Sequence, residues 1–171
     1  GLRLEKKMGN YILPVLASDG SDKTQAVLYC MDSGEFGGDQ ELLGQYEWFD
    51  WDQINWYRNN SMSYTRKNGG KAVPSLAFFH IPLVEMLDGW NEFKDNGYED
   101  TDDVKFIDGI MGEGGKVVYC GLGEDEFFEK MLELDSTKAM FNGHDHLNNA
   151  TFDYKGIQFS YGYSIDYFAY S

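Results

Sequence analysis

The chain has 171 residues, which suits one domain with a real hydrophobic core. Its formal net charge of -15 excludes nucleic acid and an anionic membrane surface as partners, since both need clustered Lys and Arg. No run approaches the roughly 18 apolar residues of a membrane helix, and no signal peptide opens the sequence.

In chain order, Tyr11 to Ala17 and Gln25 to Met31 read as two strands of a hairpin, separated by the turn signal Ser18-Asp19-Gly20-Ser21-Asp22. Asp50-Trp51-Asp52-Gln53 carries a capping-box pattern. It predicts a helix running to about Ser61, with Ile54, Trp56 and Tyr57 partly buried. The polar segment Ser63 to Ala72 reads as a connecting loop. Pro74 to His80 reads as a strand whose apolar run Leu76-Ala77-Phe78-Phe79 implies burial on both faces. Asp88 to Gly115, rich in Gly, Asp and Glu, reads as a long surface excursion beside the site. Glu124 to Leu134 predicts a helix with a wide apolar stripe. Lys138 to Asn142 predicts a further strand, and Thr151 to Tyr154 with Gly156 to Tyr161 a final hairpin. The pattern is that of a single α/β domain over residues 1–171.

The two cysteines, Cys30 and Cys120, sit in apolar strand-like runs and read as buried free thiols, with one disulfide as the alternative. Two cysteines fix no redox compartment. The four tryptophans need no ligand to explain them.

All three histidines fall in two segments, Phe78-Phe79-His80-Ile81-Pro82 and Gly143-His144-Asp145-His146, each after an apolar strand-like run. Neutral imidazole is the commonest protein ligand for transition metals, and the strand ends of α/β sheets are where ligands usually bind. In extended backbone, residues i and i+2 point the same way with Cα atoms about 6.5 Å apart. His144 and His146 are therefore expected to face one side while Asp145 faces the other. At metal–imidazole bonds of about 2.0–2.1 Å they can share one ion, or each can bind one of two ions about 3.5–4 Å apart. Gly143 supplies the freedom for a sharp turn. The alternative is three hydrogen-bonded histidines at a sheet edge.

Several segments together resemble the calcineurin-like metallophosphoesterases, in the branch near the purple acid phosphatases. They are Gly9-Asn10-Tyr11-Ile12-Leu13-Pro14-Val15, Leu28 to Gly34, Trp51-Asp52-Gln53-Ile54-Asn55-Trp56-Tyr57, Pro74 to Leu83, Phe141-Asn142-Gly143-His144-Asp145-His146-Leu147-Asn148 and Tyr154-Lys155-Gly156-Ile157. The resemblance covers most of the chain and corresponds to the C-terminal half of that family. It implies an αββα sandwich with a mixed sheet and flanking helices. It also implies two divalent or trivalent metal ions (Fe, Zn or Mn) and hydrolysis of phosphate esters by metal-activated hydroxide. Carried over by motif, His80 and His144 resemble ligands of the second metal and His146 a ligand of the first, with His144 and His146 taking part in catalysis. Asp145 is a candidate to orient a ligand histidine, and Asn148, Tyr163 and Asp166 are candidate substrate contacts.

The family's Asp-x-His, Gly-Asp-x-x-Asp and Gly-Asn-His segments are absent. The only Gly-Asp, Gly38-Asp39, continues as Gln40-Glu41-Leu42. Val84 and Asn149 also depart from the family pattern, and Tyr163-Ser164-Ile165-Asp166 replaces a Gly-rich segment. The expectation is a C-terminal portion of a phosphoesterase that needs a missing N-terminal half or a second copy to complete its site. A sheet cut from its partner exposes an apolar face, which predicts a homodimer. The alternative is a non-catalytic scaffold or binding domain holding none or one His-bound ion.

Overall fold

A computed structural model describes residues 9–37, 46–123 and 125–165. Seven strands form one mixed sheet in the order β1-β2-β3-β5-β7-β6-β4. They are β1 (Tyr11–Leu16), β2 (Thr24–Cys30), β3 (Ser75–Phe78), β4 (Val104–Asp108), β5 (Thr137–Asn142), β6 (Thr151–Tyr154) and β7 (Ile157–Tyr161). The central strands β2, β3, β5 and β7 run parallel, while β1, β6 and β4 add antiparallel pairings toward the edges. Helices α1 (Trp51–Lys67), α2 (Val84–Asp95) and α3 (Phe127–Leu134) complete an α/β fold. No described helix is long and apolar enough to cross a membrane.

All three helices pack on one face of the sheet. Tyr57 of α1 meets Tyr29 of β2 edge-on at 4.8 Å, and Phe127 of α3 meets Phe79, just past β3, at 6.4 Å. Phe128 packs against Tyr154 and Phe159. Gly89 lets α2 approach β6 closely: a Cβ there would meet Phe152 Cε2 at 2.9 Å and Tyr154 Cγ at 3.0 Å.

The capping box of α1 is present. Asp50 accepts from the Gln53 amide at 3.2 Å, and the Gln53 side chain accepts from the Asp50 amide at 3.1 Å. The same side chain is fully buried and donates to Asn10 Oδ1 and to the Asp32 carbonyl, tying α1 to the ends of β1 and β2. The helix runs six residues past the expected Ser61, so the polar segment Ser63 to Ala72 is not simply a loop. One face is enough to hold a helix. Buried Ser61 bonds Ser136 at 2.9 Å, Tyr57 bonds Thr137 at 2.8 Å, and Arg66 and Lys67 complement the negative end of the helix dipole.

The stretch Asp88 to Gly115 is also more regular than expected. It holds most of α2, whose Met86, Trp90 and Phe93 are buried at helical spacing, and all of β4, whose Phe106 stacks on Phe93 at 5.1 Å. The β3 expectation is corrected as well: its burial alternates, with Ser75 and Ala77 buried and Leu76 and Phe78 half-exposed. Helix α3 begins at Phe127, and the expected start at Glu124 lies outside the described residues. Both cysteines are free, Cys120 buried and Cys30 half-buried.

Candidate metal-binding site at the strand ends

The parallel neighbours β3 and β5 end side by side, and their continuations carry the histidines. His80 follows β3, and its carbonyl accepts from the Gly143 amide at 3.1 Å, just after β5. The imidazoles of His80 and His144 meet edge-to-face with centroids 5.2 Å apart. Two imidazoles bound tetrahedrally to one ion through ~2.0–2.1 Å bonds would have centroids roughly 5 Å apart. His146 lies within electrostatic reach of both. The ring of Tyr46 closes one side of His144 at 4.5 Å.

The turn is not the extended segment expected from the sequence. His144 has a φ of 73°, in the left-handed region. The Asp145 amide folds back to the Gly143 carbonyl at 2.9 Å, and the Asn148 amide to the Asp145 carbonyl at 3.1 Å. The i, i+2 argument for His144 and His146 therefore fails, and their nearness arises from a folded turn. The role of Gly143 is corrected too. The left-handed residue is its neighbour, and what Gly143 provides is close approach: a Cβ there would meet His80 Nδ1 at 3.2 Å.

Burial first, then the neighbouring His146, lowers the pKa of His80. Burial, then His80 and His146, lowers that of His144 to about 4, with Glu113 opposing. Both imidazoles are thus held neutral at pH 7, the form that binds metals.

Asp145 is buried, not an exposed loop residue. It accepts from the Tyr119 amide at 3.1 Å, from the Tyr161 hydroxyl and from Asn148 Nδ2 at 3.4 Å. Burial raises its pKa to about 6, aided by Glu113 and offset by those donors. Its hydrogen bonds brace the turn from within. Asn148 is fully buried; its Oδ1 accepts from the Glu113 amide and its Nδ2 donates to the Val117 carbonyl, so it belongs to the frame of the turn. Tyr163 is 55% exposed. Asp166 and Gly38-Asp39-Gln40-Glu41-Leu42 lie outside the described residues. Burial pushes the Cys120 thiol up to about 12, with Asp145, Asp88 and Glu85 adding to it, which does not suit a thiolate ligand.

Glu113, Tyr161 and Tyr46 were not foreseen. Glu113 accepts from the Leu147 amide at 3.1 Å, yet it sits in the stretch read as a surface excursion. Tyr161 is placed by its pairing with Asn142, which needs the sheet order to be known.

The two imidazoles in contact, His80 and His144, are donors of the kind that transition metals take. Among the described residues, no group of three or more His, Cys, Asp or Glu side chains has metal-site geometry.

No protein-family model and no solved structure matches the chain. Among curated proteins, it is 30% identical over 175 residues to "Probable inactive purple acid phosphatase 28" of Arabidopsis thaliana, covering 99% of this chain and 39% of that protein. It is 30% identical over 171 residues to "Probable inactive purple acid phosphatase 29" of the same plant, covering 95% and 40%. It is also 29% identical over 83 residues to "Phosphatase DCR2" of Saccharomyces cerevisiae, covering 47% and 13%. The chain spans about two fifths of the length of the Arabidopsis relatives it matches.

Proposed function

Since the chain is a purple acid phosphatase-like sequence, related along almost its whole length to named phosphatases, we propose that it carries the histidine part of a metallophosphoesterase centre. His80, His144 and His146 are the ligands. The observation that carries this reading is the approach of two neutral imidazoles, 5.2 Å apart, at the ends of adjacent parallel strands. Fe, Zn or Mn bound there supplies Lewis-acid chemistry toward a phosphate ester and its attacking water.

The chain's own residues position and shield. The Gly143–His80 backbone bond fixes the two strand ends together, Asp145 and Glu113 hold the turn, and Tyr46 covers one side of His144. Tyr163, exposed near the end of β7, is a candidate to contact substrate. The sequence holds three histidines in all, and among the described residues no three His, Cys, Asp or Glu side chains form a group that could hold a metal ion. Hydrolysis by two ions therefore requires ligands from a completing half or a second copy, with a homodimer as one form of that assembly.

A second reading is a non-catalytic scaffold or binding domain that keeps at most one His-bound ion. The word "inactive" in the names of the Arabidopsis relatives and the lack of a three-ligand geometry favour it.

Elemental analysis of the purified chain, with His146→Ala as control, tests both. About two ions per chain, lost in the control, supports the completed centre, and one supports the scaffold. None in either protein would sink the metal reading.

A further inference from the structure

Beside the histidine turn lies a buried polar side chain that the proposed centre does not use. Two polar residues flank Gly143-His144, and they are held very differently. Asp145 receives hydrogen bonds from Tyr119, Tyr161 and Asn148. Asn142, the last residue of β5, is 3% exposed, yet neither its Oδ1 nor its Nδ2 has a partner within the protein.

Register places Asn142 on the covered face of the sheet. Met140, two residues earlier, is fully buried there, and Asn142 pairs with Tyr161 of β7. On its other side β5 borders β3, which continues through His80 and Pro82 into α2.

A carboxamide can make about four hydrogen bonds, and leaving a buried polar group dry is costly. The usual remedy is enclosed water that takes two to four polar partners. The orphaned carboxamide of Asn142 supplies both a donor and an acceptor for one. We propose that Asn142 holds an enclosed water beside the histidine turn and acts through it as a positioning residue for His144. The turn is then braced at both ends, by protein donors at Asp145 and by water at Asn142. Bracing is needed because His144 is held in left-handed backbone, which strains a non-glycine residue.

The effect on metal rests on the centre proposed above. A crystal structure of the chain should show solvent density within hydrogen-bond distance of the Asn142 side chain; a dry carboxamide there overturns the proposal. Asn142→Leu keeps size and removes the polar atoms. It should leave unfolding stability unchanged or raised while zinc affinity falls ~10–100-fold. Lost stability with unchanged zinc affinity would make Asn142 merely structural. If the wild-type chain binds no zinc, the metal reading fails by itself, and hydrogen exchange then decides. Amides 143–146 should exchange about tenfold faster in Asn142→Leu, and unchanged exchange overturns the positioning role.

Discussion

The two faces of the sheet follow different rules. One is covered by α1, α2 and α3 and buries Ile12, Val27, Tyr29, Ala77, Met140, Phe152 and Phe159. The other has none of the described helices on it. Along β7 and β6 it carries the polar residues Gln158, Ser160, Thr151 and Asp153, with Ser160 buried and the others half-buried. Along β1, β2, β3 and β5 it carries Tyr11, Leu13, Val15, Leu28, Leu76, Phe78 and Phe141, with Leu13 47% and Val15 44% exposed. Phe78 and Phe141 stack at 5.0 Å on that face with no described helix over them. The apolar half is thus confined to the strands next to the ends that carry His80 and His144.

The sharpest way to break this contrast is to attack the covered face. Phe127 is fully buried and packs against Phe49, Tyr57 and Phe79. Phe127→Ala should lower unfolding free energy by about 3–5 kcal/mol, measured by denaturant titration. A loss below about 1 kcal/mol would mean the helices do not pack the sheet as described.

Next in size is a pH effect at the α2–α3 contact. Burial first, then Asp125, Glu129 and Asp88, raises the pKa of Glu85 from 4.5 to about 7. Burial also raises Asp125 to about 6. A raised carboxyl binds its proton more tightly when folded. Its stabilisation is complete below the unfolded value and is lost as pH climbs through the folded one. His80 and His144, with lowered pKa values, act oppositely below about 6.5. Stability should therefore fall between about pH 6.5 and 8, where Glu85 titrates most while Asp125 and Asp145 are completing theirs. Glu85→Gln should flatten that fall and gain on the order of 2 kcal/mol at pH 8. An unchanged slope would refute the assignment.

Much of this was legible in the sequence for identifiable reasons. The capping box at Asp50 and Gln53 is local chemistry and predicted the start of α1. Both hairpins, the first from the turn signal Ser18-Asp19-Gly20-Ser21-Asp22, and the histidines after apolar strand runs were read directly. Helix α2 was readable in principle, since Met86, Trp90 and Phe93 have helical spacing, but the Gly, Asp and Glu around them masked it. The polar second half of α1 was misread because its anchors, Ser61 to Ser136 and Tyr57 to Thr137, reach more than seventy residues along the chain. The shape of the histidine turn was not readable. It depends on Tyr161, Tyr119 and Glu113, which come from three separate segments.

Removing the α1 cap with Asp50→Ala should cost about 1 kcal/mol. Because Gln53 also bonds Asn10 and Asp32, the variant should weaken the covered face without altering the other. Denaturant titration reads the first effect, and light scattering should show no change in association.

The smallest stability effect should come from the apolar half of the uncovered face. Leu13→Lys with Val15→Lys places two charges on half-exposed positions of the edge strand β1. Substitutions at such sites usually stay within about 0.5 kcal/mol each, so the folded chain should tolerate them. Association is another matter. If that half binds a second copy, the wild-type chain should run as a dimer in light scattering and the double variant as a monomer, since burying an unpaired ammonium costs several kcal/mol. Unchanged association would move the interface elsewhere. A large loss of stability in the monomer would mean that this face is already packed within the chain, and the contrast between the two faces would collapse.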